Sequence, residues 1–277
     1  MKPIPIQTVI TASMSGKISD GEFGNENPFF SIQQTLQGPM TLEETREMEQ
    51  ELYGLCLSLY KQREQQAYAD RIRKVRKDLR FYVDPETKTQ VPSVSSILNW
   101  DADFYVSPEE LMQYAAQGSI THLQVAKYWE TGEWIAPKEI KEAYPYLVTM
   151  KRGGLKLTTN GVDFKGFLEK YPFKALSWEK PVLNMEHRYG GTYDFVAEDK
   201  DGIVTLCDVK RTADPVKNFA QMAAYAKCLP DVKQLCIIVL NDKTKQGWSK
   251  PTFTGDIDLH FQYFLQQRRA FRDSFGL

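Results

Sequence analysis

Four residues between positions 186 and 210 carry side chains suited to cleaving a phosphate ester: Glu186, Asp194, Asp208 and Lys210. Carboxylates gathered at one edge of a sheet repel one another unless a cation lies between them, and hard oxygen donors suit Mg²⁺ or Mn²⁺. A bound cation activates water and neutralises charge building on a phosphate, and a second stabilises the leaving oxygen. A lysine beside them orients the attacking water or holds the phosphate. These residue types therefore point to metal-dependent hydrolysis of phosphodiesters.

The elements that must position them read as a β-hairpin followed by a helix. Phe195-Val196-Ala197 and Ile203-Val204-Thr205-Leu206 are apolar and partly β-branched, and the intervening Glu198-Asp199-Lys200-Asp201-Gly202 is a polar turn ending in glycine. Alternation along the second strand puts Leu206, Asp208 and Lys210 on one face, with Cys207 and Val209 on the other. Asp194 stands at the far end of the first strand, after Gly190-Gly191, which permit a sharp turn and the close approach of a ligand. The acidic-x-Lys pattern alone says little: it arises by chance roughly once or twice in such a chain. Glu86/Lys88, Glu139/Lys141, Glu198/Lys200 and Asp231/Lys233 repeat it. Asp208/Lys210 differs in ending an apolar strand, following Gly-Gly-x-x-Asp and leading into a helix. That helix opens with Asp214 as N-cap and Pro215 at the first position, and it sets Lys217, Gln221 and Tyr225 on one face looking back at Lys210.

In order, Glu186, Gly191-Thr192-Tyr193-Asp194, Asp208-Val209-Lys210-Arg211-Thr212 and Gln221-x-x-x-Tyr225 resemble the PD-(D/E)XK nucleases over residues 90 to 270. The nearest likeness is to the RecB-type exonuclease branch, with its CRISPR-associated RecB-like nucleases and mitochondrial genome maintenance exonucleases. The resemblance implies an α/β fold with a PD-(D/E)XK nuclease core (αβββαβ, a mixed central sheet flanked by helices). It implies a metal-dependent DNA exonuclease working in recombination, repair or phage DNA processing. Asp194 would be the central metal ligand, Asp208 the second and the Val209 carbonyl a third, with Lys210 the catalytic lysine. Gln221 and Tyr225 would support the site and the DNA strand, and Glu186, on the strand before Asp194, would bind a metal or a water. Gly118-x-x-x-His122 ahead of an amphipathic helix would place His122 on or beside the metal, and imidazole among carboxylates leans toward Mn²⁺. The implied cofactors are two divalent cations, Mg²⁺ or Mn²⁺. The implied partners are single- or double-stranded DNA ends and a recombination or single-strand-binding protein, and an oligomer is compatible with the sequence. Lys217, Arg211 and Thr212 are the expected DNA contacts near the site. Two rivals stay open: a structure-selective or restriction-type endonuclease on the same core, and a non-catalytic DNA-binding recombination partner.

With 277 residues the chain can bury a good core, as one domain with additions or as two. Its net charge of −1 rules out a global basic signature, so any DNA surface must be local. Cys56, Cys207, Cys228 and Cys236 are scattered and partly within apolar runs, as reduced core thiols in a cytosolic protein would be, and no iron–sulfur cluster is expected. Met1-Lys2-Pro3 opens no signal peptide and no apolar run approaches membrane-spanning length, so the expected location is cytoplasmic with no membrane partner.

Residues 1–85 read as a small β-hairpin plus long-helix extension that binds DNA or a partner. Strands are expected at Ile6–Met14 and Phe29–Thr35, and a capping box at Thr41–Glu44 opens a helix with Met48, Leu52, Leu55 and Leu59 at helical spacing. Its second half is dense in Lys and Arg, and Arg73 and Lys77 are candidate DNA-backbone contacts, with a solvated helix face as the equal alternative. Asp84-Pro85 marks the expected boundary, and residues 86–277 the nuclease domain. There, Ser107-Pro108 starts a helix, and Tyr144, Tyr146, Phe164, Phe167 and Trp178 lie in aromatic strands and turns, some suited to stacking on bases. Gln234–Leu240 is an apolar run fit for a strand buried on both faces, so the helix before it makes a β-α-β crossover. Lys243, Lys245 and Lys250 follow in a polar stretch. A last helix, Asp258–Phe275, should turn Phe261, Phe264 and Leu265 inward and Arg268, Arg269 and Arg272 outward.

Overall fold

A computed structural model describes residues 7–15, 18–19, 25–26, 28–38, 40–74, 79–101, 108–135, 139, 162–240 and 244–277. Lys77, Ser107, Tyr144, Tyr146 and Lys243 lie outside the described residues, as does the Arg73 side chain. The chain forms two compact units, one of residues Met1–Asp78 with Ala270–Leu277 and one of Leu79–Arg269. The division falls at Asp78/Leu79 rather than between residues 85 and 86, because Asp84-Pro85 forms the turn of a strand pair inside the second unit.

In the first unit β1 (Gln7–Ser15) pairs antiparallel with β4 (Phe29–Gln37), and the short β2 (Ile18–Ser19) and β3 (Asn25–Glu26) pair between them. Helix α1 (Leu42–Lys74) opens with the expected reciprocal cap: Thr41 Oγ1 accepts from Glu44 N at 3.2 Å, and Glu44 Oε2 accepts from Thr41 N at 2.8 Å. Ile10 and Ala12 of the hairpin pack on Leu52 and Cys56 of α1. The stripe that meets the hairpin therefore runs from half-buried Met48 through Leu52 to Cys56, and Leu55 and Leu59 are exposed. Spacing of four continues straight along the helix, while Leu55 and Leu59 fall on the neighbouring stripe.

The second unit begins with a ribbon of β5 (Phe81–Val83) and β6 (Gln90–Pro92), then α2 (Val94–Asn99), α3 (Pro108–Thr131) and α4 (Phe164–Lys170). Strands β7 (Phe173–Asn184), β8 (Tyr189–Asp199) and β9 (Val204–Lys210) follow, then α5 (Pro215–Ala226), β10 (Gln234–Val239), β11 (Thr252–Thr254) and α6 (Ile257–Phe275). The sheet order is β11-β10-β9-β8-β7. β9 and β10 are parallel through α5, and the other neighbours are antiparallel, so the sheet is mixed and the expected crossover is present. On one face Phe195, Cys207, Val209 and Ile238 pack with Val125 of α3 and Phe164 and Phe167 of α4. On the other, Tyr189 meets Phe264 of α6 edge-on at 4.8 Å and donates its hydroxyl to Ala224 O of α5 at 2.9 Å. Arg268, expected outside, is buried and donates from Nε to His187 O at 3.0 Å, satisfying a carbonyl of the β7–β8 turn. Among the described residues no helix is long and apolar enough to cross a membrane.

Candidate metal centre

The site lies where two strands part. β8 pairs with β7 along nearly its whole length, but its pairing with β9 ends at Phe195↔Cys207. Asp194 is the next residue on β8, so it stands at the mouth of the gap. In place of a ladder bond, Val209 N donates to Asp194 Oδ2 at 2.6 Å. The other carboxylate oxygen, Oδ1, lies 3.0 Å from His122 Nδ1 on α3. Asp194 thereby ties β9 to α3 across the gap. Asp208 and Lys210, one face of β9, pair with each other, and Lys210 Nζ lies 2.8 Å and 2.7 Å from Asp208 Oδ1 and Oδ2. The geometry at Oδ1 is that of a hydrogen bond, whereas Oδ2 is buried with no hydrogen-bond partner among the described residues.

Glu179 completes the group. Its carboxylate, the His122 imidazole and the Asp194 carboxylate offer atoms within 4.8 Å of one another. Counting outward from the closing pair Asn184↔Tyr189, with Lys180↔Tyr193 and Trp178↔Phe195 on either side, Glu179 stands across from Asp194. Its φ of +48° is a left-handed backbone for a residue with a side chain. Strain of this kind persists only where the surroundings impose it.

Glu186, expected at the site, sits in the turn joining β7 to β8 with its side chain 83% exposed, 3.8 Å from His187. A long antiparallel hairpin separates its turn from the middle of its arms, so Glu186 is carried away from Asp194 while Glu179 is brought to it. Sequence reading passed over Glu179, although a tight four-residue turn after Asn184 would have put it opposite Asp194 by simple counting. Gly190 and Gly191 lie in the first residues of β8 rather than in the turn before it, and what approaches Gly191 is the ring of Tyr225. His122 lies within a continuous helix rather than ahead of one, since Gly118 does not interrupt α3.

Gln221 and Tyr225 line the same cleft as His122, Asp194 and Lys210, and Gln221 Nε2 donates to the Tyr225 hydroxyl at 3.1 Å. Lys217 is not on that lining. It donates to Asn99 Oδ1 at 3.4 Å, because the first turn of α5 passes the end of α2. Arg211 and Thr212 follow β9 outside the lining, half-buried and exposed respectively. For Val209 the observed tie is its N–H to Asp194.

The electrostatics follow from burial among charges. Burial pulls the His122 imidazole down, but the charge and hydrogen bond of Asp194 outweigh it and the net shift is upward. Burial pushes Asp194 up, but His122, Lys210 and the Val209 N–H hold it below the usual carboxylate range. Burial lifts Asp208 to about 6, with the negative charge of Asp194 adding and Lys210 opposing. Lys210 loses to burial but gains more from Asp208 and Asp194, so its ammonium is favoured. Glu179 is raised by desolvation and by Asp194. Carboxylates crowded around an imidazole, two of them, Glu179 and Asp208, shifted toward their protonated forms, fit a hard divalent cation.

No family model matches the chain. Among curated proteins it is 23% identical over 201 residues to nocturnin of Xenopus laevis, a match covering 70% of this chain and 49% of that protein. The chain thus spans about half the length of the curated relative it matches. The expected place in the PD-(D/E)XK superfamily, RecB-type branch, is overturned, since the match is to nocturnin and not to that superfamily. Short acidic and lysine motifs on a hairpin followed by a helix recur across α/β sheets. They speak to the chemistry of a site, not to descent.

Proposed function

We propose that the chain is a metal-dependent hydrolase of nucleic-acid phosphodiester bonds, and more finely a DNA exonuclease using two divalent cations, Mg²⁺ or Mn²⁺. The observation that carries the reading is the convergence of His122, Glu179 and Asp194 within 4.8 Å, beside the buried Asp208–Lys210 pair. His122, Glu179 and Asp194 would hold one cation, and Asp208, paired with Lys210 and near enough to Asp194 for their charges to interact, would share in a second. A divalent cation bound there supplies Lewis acidity toward a phosphoryl oxygen and lowers the pKa of water. Lys210, held against Asp208 at the cleft wall, is placed to grip the scissile phosphate or orient the attacking water. Asp194 fixes the His122 ring by its hydrogen bond and so presets the ligand geometry. The cleft, ≈ 900 Å³, lies at the upper end for small-ligand pockets.

The test is incubation with Mg²⁺ or Mn²⁺ and end-labelled linear DNA, single- and double-stranded, beside closed circles and RNA, with Lys210→Ala as control. Degradation of linear DNA from its ends, intact circles and an inert variant are expected. Cut circles would make it an endonuclease, preferential loss of RNA would change the substrate, and an absence of both cleavage and Mn²⁺ binding would defeat the reading.

A further inference from the structure

The cleft has a wall that the carboxylate group leaves unused. Thr192 lies two residues before Asp194 on β8, and both line the cleft. Its hydroxyl is 3.0 Å from the hydroxyl of Tyr82, which comes from the β5–β6 ribbon. Tyr82 is seated firmly, because a Cβ on Gly190 would come within 2.8 Å of the Tyr82 Cβ, so only glycine lets the two strands come this close. Whichever hydroxyl donates, the pair spends one of its two protons internally and keeps the other for a ligand. Arg80, at the entry to β5, lines the same cleft. A neutral donor and a guanidinium together suit a phosphate.

The spacing carries the argument further. Two residues of an antiparallel strand span about 6.8 Å. That is the order of the separation between neighbouring phosphates on one nucleic-acid strand. We propose that Tyr82 and Thr192, with Arg80, bind the phosphodiester next to the scissile one. The substrate class is then an oligonucleotide or longer strand, not a mononucleotide ester. The inference rests on the nuclease reading above.

The test compares kcat/KM on a labelled dinucleotide, which has one diester, and a trinucleotide, which has two, for wild type and the Tyr82→Phe/Thr192→Val double variant. Deoxyribo- and ribo-oligomers are run in parallel, since the subsite reads a phosphate and the effect belongs on whichever sugar is accepted. A hydrogen bond to a charged group is worth about tenfold or more. The wild-type ratio of trinucleotide to dinucleotide is therefore expected at about ten or above, falling to about one in the double variant. Calorimetric Mn²⁺ titration on the same preparations separates the causes. A wild-type ratio near one, or a ratio the double variant keeps, overturns the subsite alone. Loss of Mn²⁺ binding in the double variant would make the pair a support of the metal centre and overturn the subsite. A wild type that binds no Mn²⁺ and cleaves neither length overturns the nuclease reading, and the subsite with it.

Discussion

Gly191→Ala is expected to destabilise the unit that holds the site without altering any titratable group. A Cβ at Gly191 would lie 2.2 Å from Tyr225 Cε1, 2.7 Å from Cζ and 2.8 Å from the hydroxyl. Carbon contacts are comfortable only near 3.5–4.0 Å, so more than a full ångström of overlap must be relieved. Tyr225 cannot swing away freely, since it is 4% exposed and its hydroxyl accepts from Gln221. Overpacking of this kind costs about 1–3 kcal/mol. In a unit of this size that corresponds to a fall in Tm of roughly 3–10 °C. The five tryptophans, Trp100, Trp129, Trp134, Trp178 and Trp248, all lie within residues 79–269, so thermal unfolding followed by tryptophan fluorescence reads this unit. Gly118→Ala is the control: it lies inside α3 with open space around the new Cβ and should gain about 0.5–1 kcal/mol. Tyr225→Phe should not rescue Gly191→Ala, because the ring carbons remain, whereas Tyr225→Ala should shrink the effect of the glycine change. Equal melting of wild type and Gly191→Ala, or a penalty undiminished beside Tyr225→Ala, would refute the packing argument.

Other outcomes follow from the site. Glu179→Gln should weaken Mn²⁺ binding at least about tenfold in calorimetry, while Glu186→Gln, out on its turn, should leave it unchanged; the reverse pattern would restore Glu186 to the site. Mn²⁺ affinity should fall as pH drops from 8 to 5, because Asp208 near 6 and the raised Glu179 and His122 all hold protons that the cation must displace. Titrations in two buffers of different ionisation enthalpy should reveal that proton release, and a pH-independent affinity would contradict it. Lys210→Met should leave Asp208 buried without a counter-charge, lowering metal-free stability by about 3–5 kcal/mol in urea unfolding, with part of the loss recovered on adding Mn²⁺.

What could be read without the tertiary structure was local. Alternation placed Asp208 and Lys210 on one face of β9 and separated them from Val209, because a strand's period is fixed by its backbone. Asp214-Pro215 announced α5, since an N-cap oxygen and a proline without an N–H both suit a helix start, and Asp214 does accept from Lys217 N. The apolar run Gln234–Leu240 declared a strand buried on both faces and, with α5, the parallel crossover. The capping box at Thr41 marked the start of α1, but nothing local distinguished the Cys56 stripe from the Leu55 one. The order of motifs also suggested a lineage, and there it misled, because short motifs on common elements carry chemistry more faithfully than ancestry. Asp194, Asp208, Lys210 and, by resemblance, His122 were legible as candidates, but Glu179 in place of Glu186 belonged to the tertiary structure alone. Glu179 reaches Asp194 because a hairpin register pairs residues on either side of a distant turn, and His122 reaches it because α3 crosses the gap where β8 leaves β9. Register, splay and helix docking are set by packing between segments far apart in the chain, and neither residue type nor spacing encodes them one position at a time.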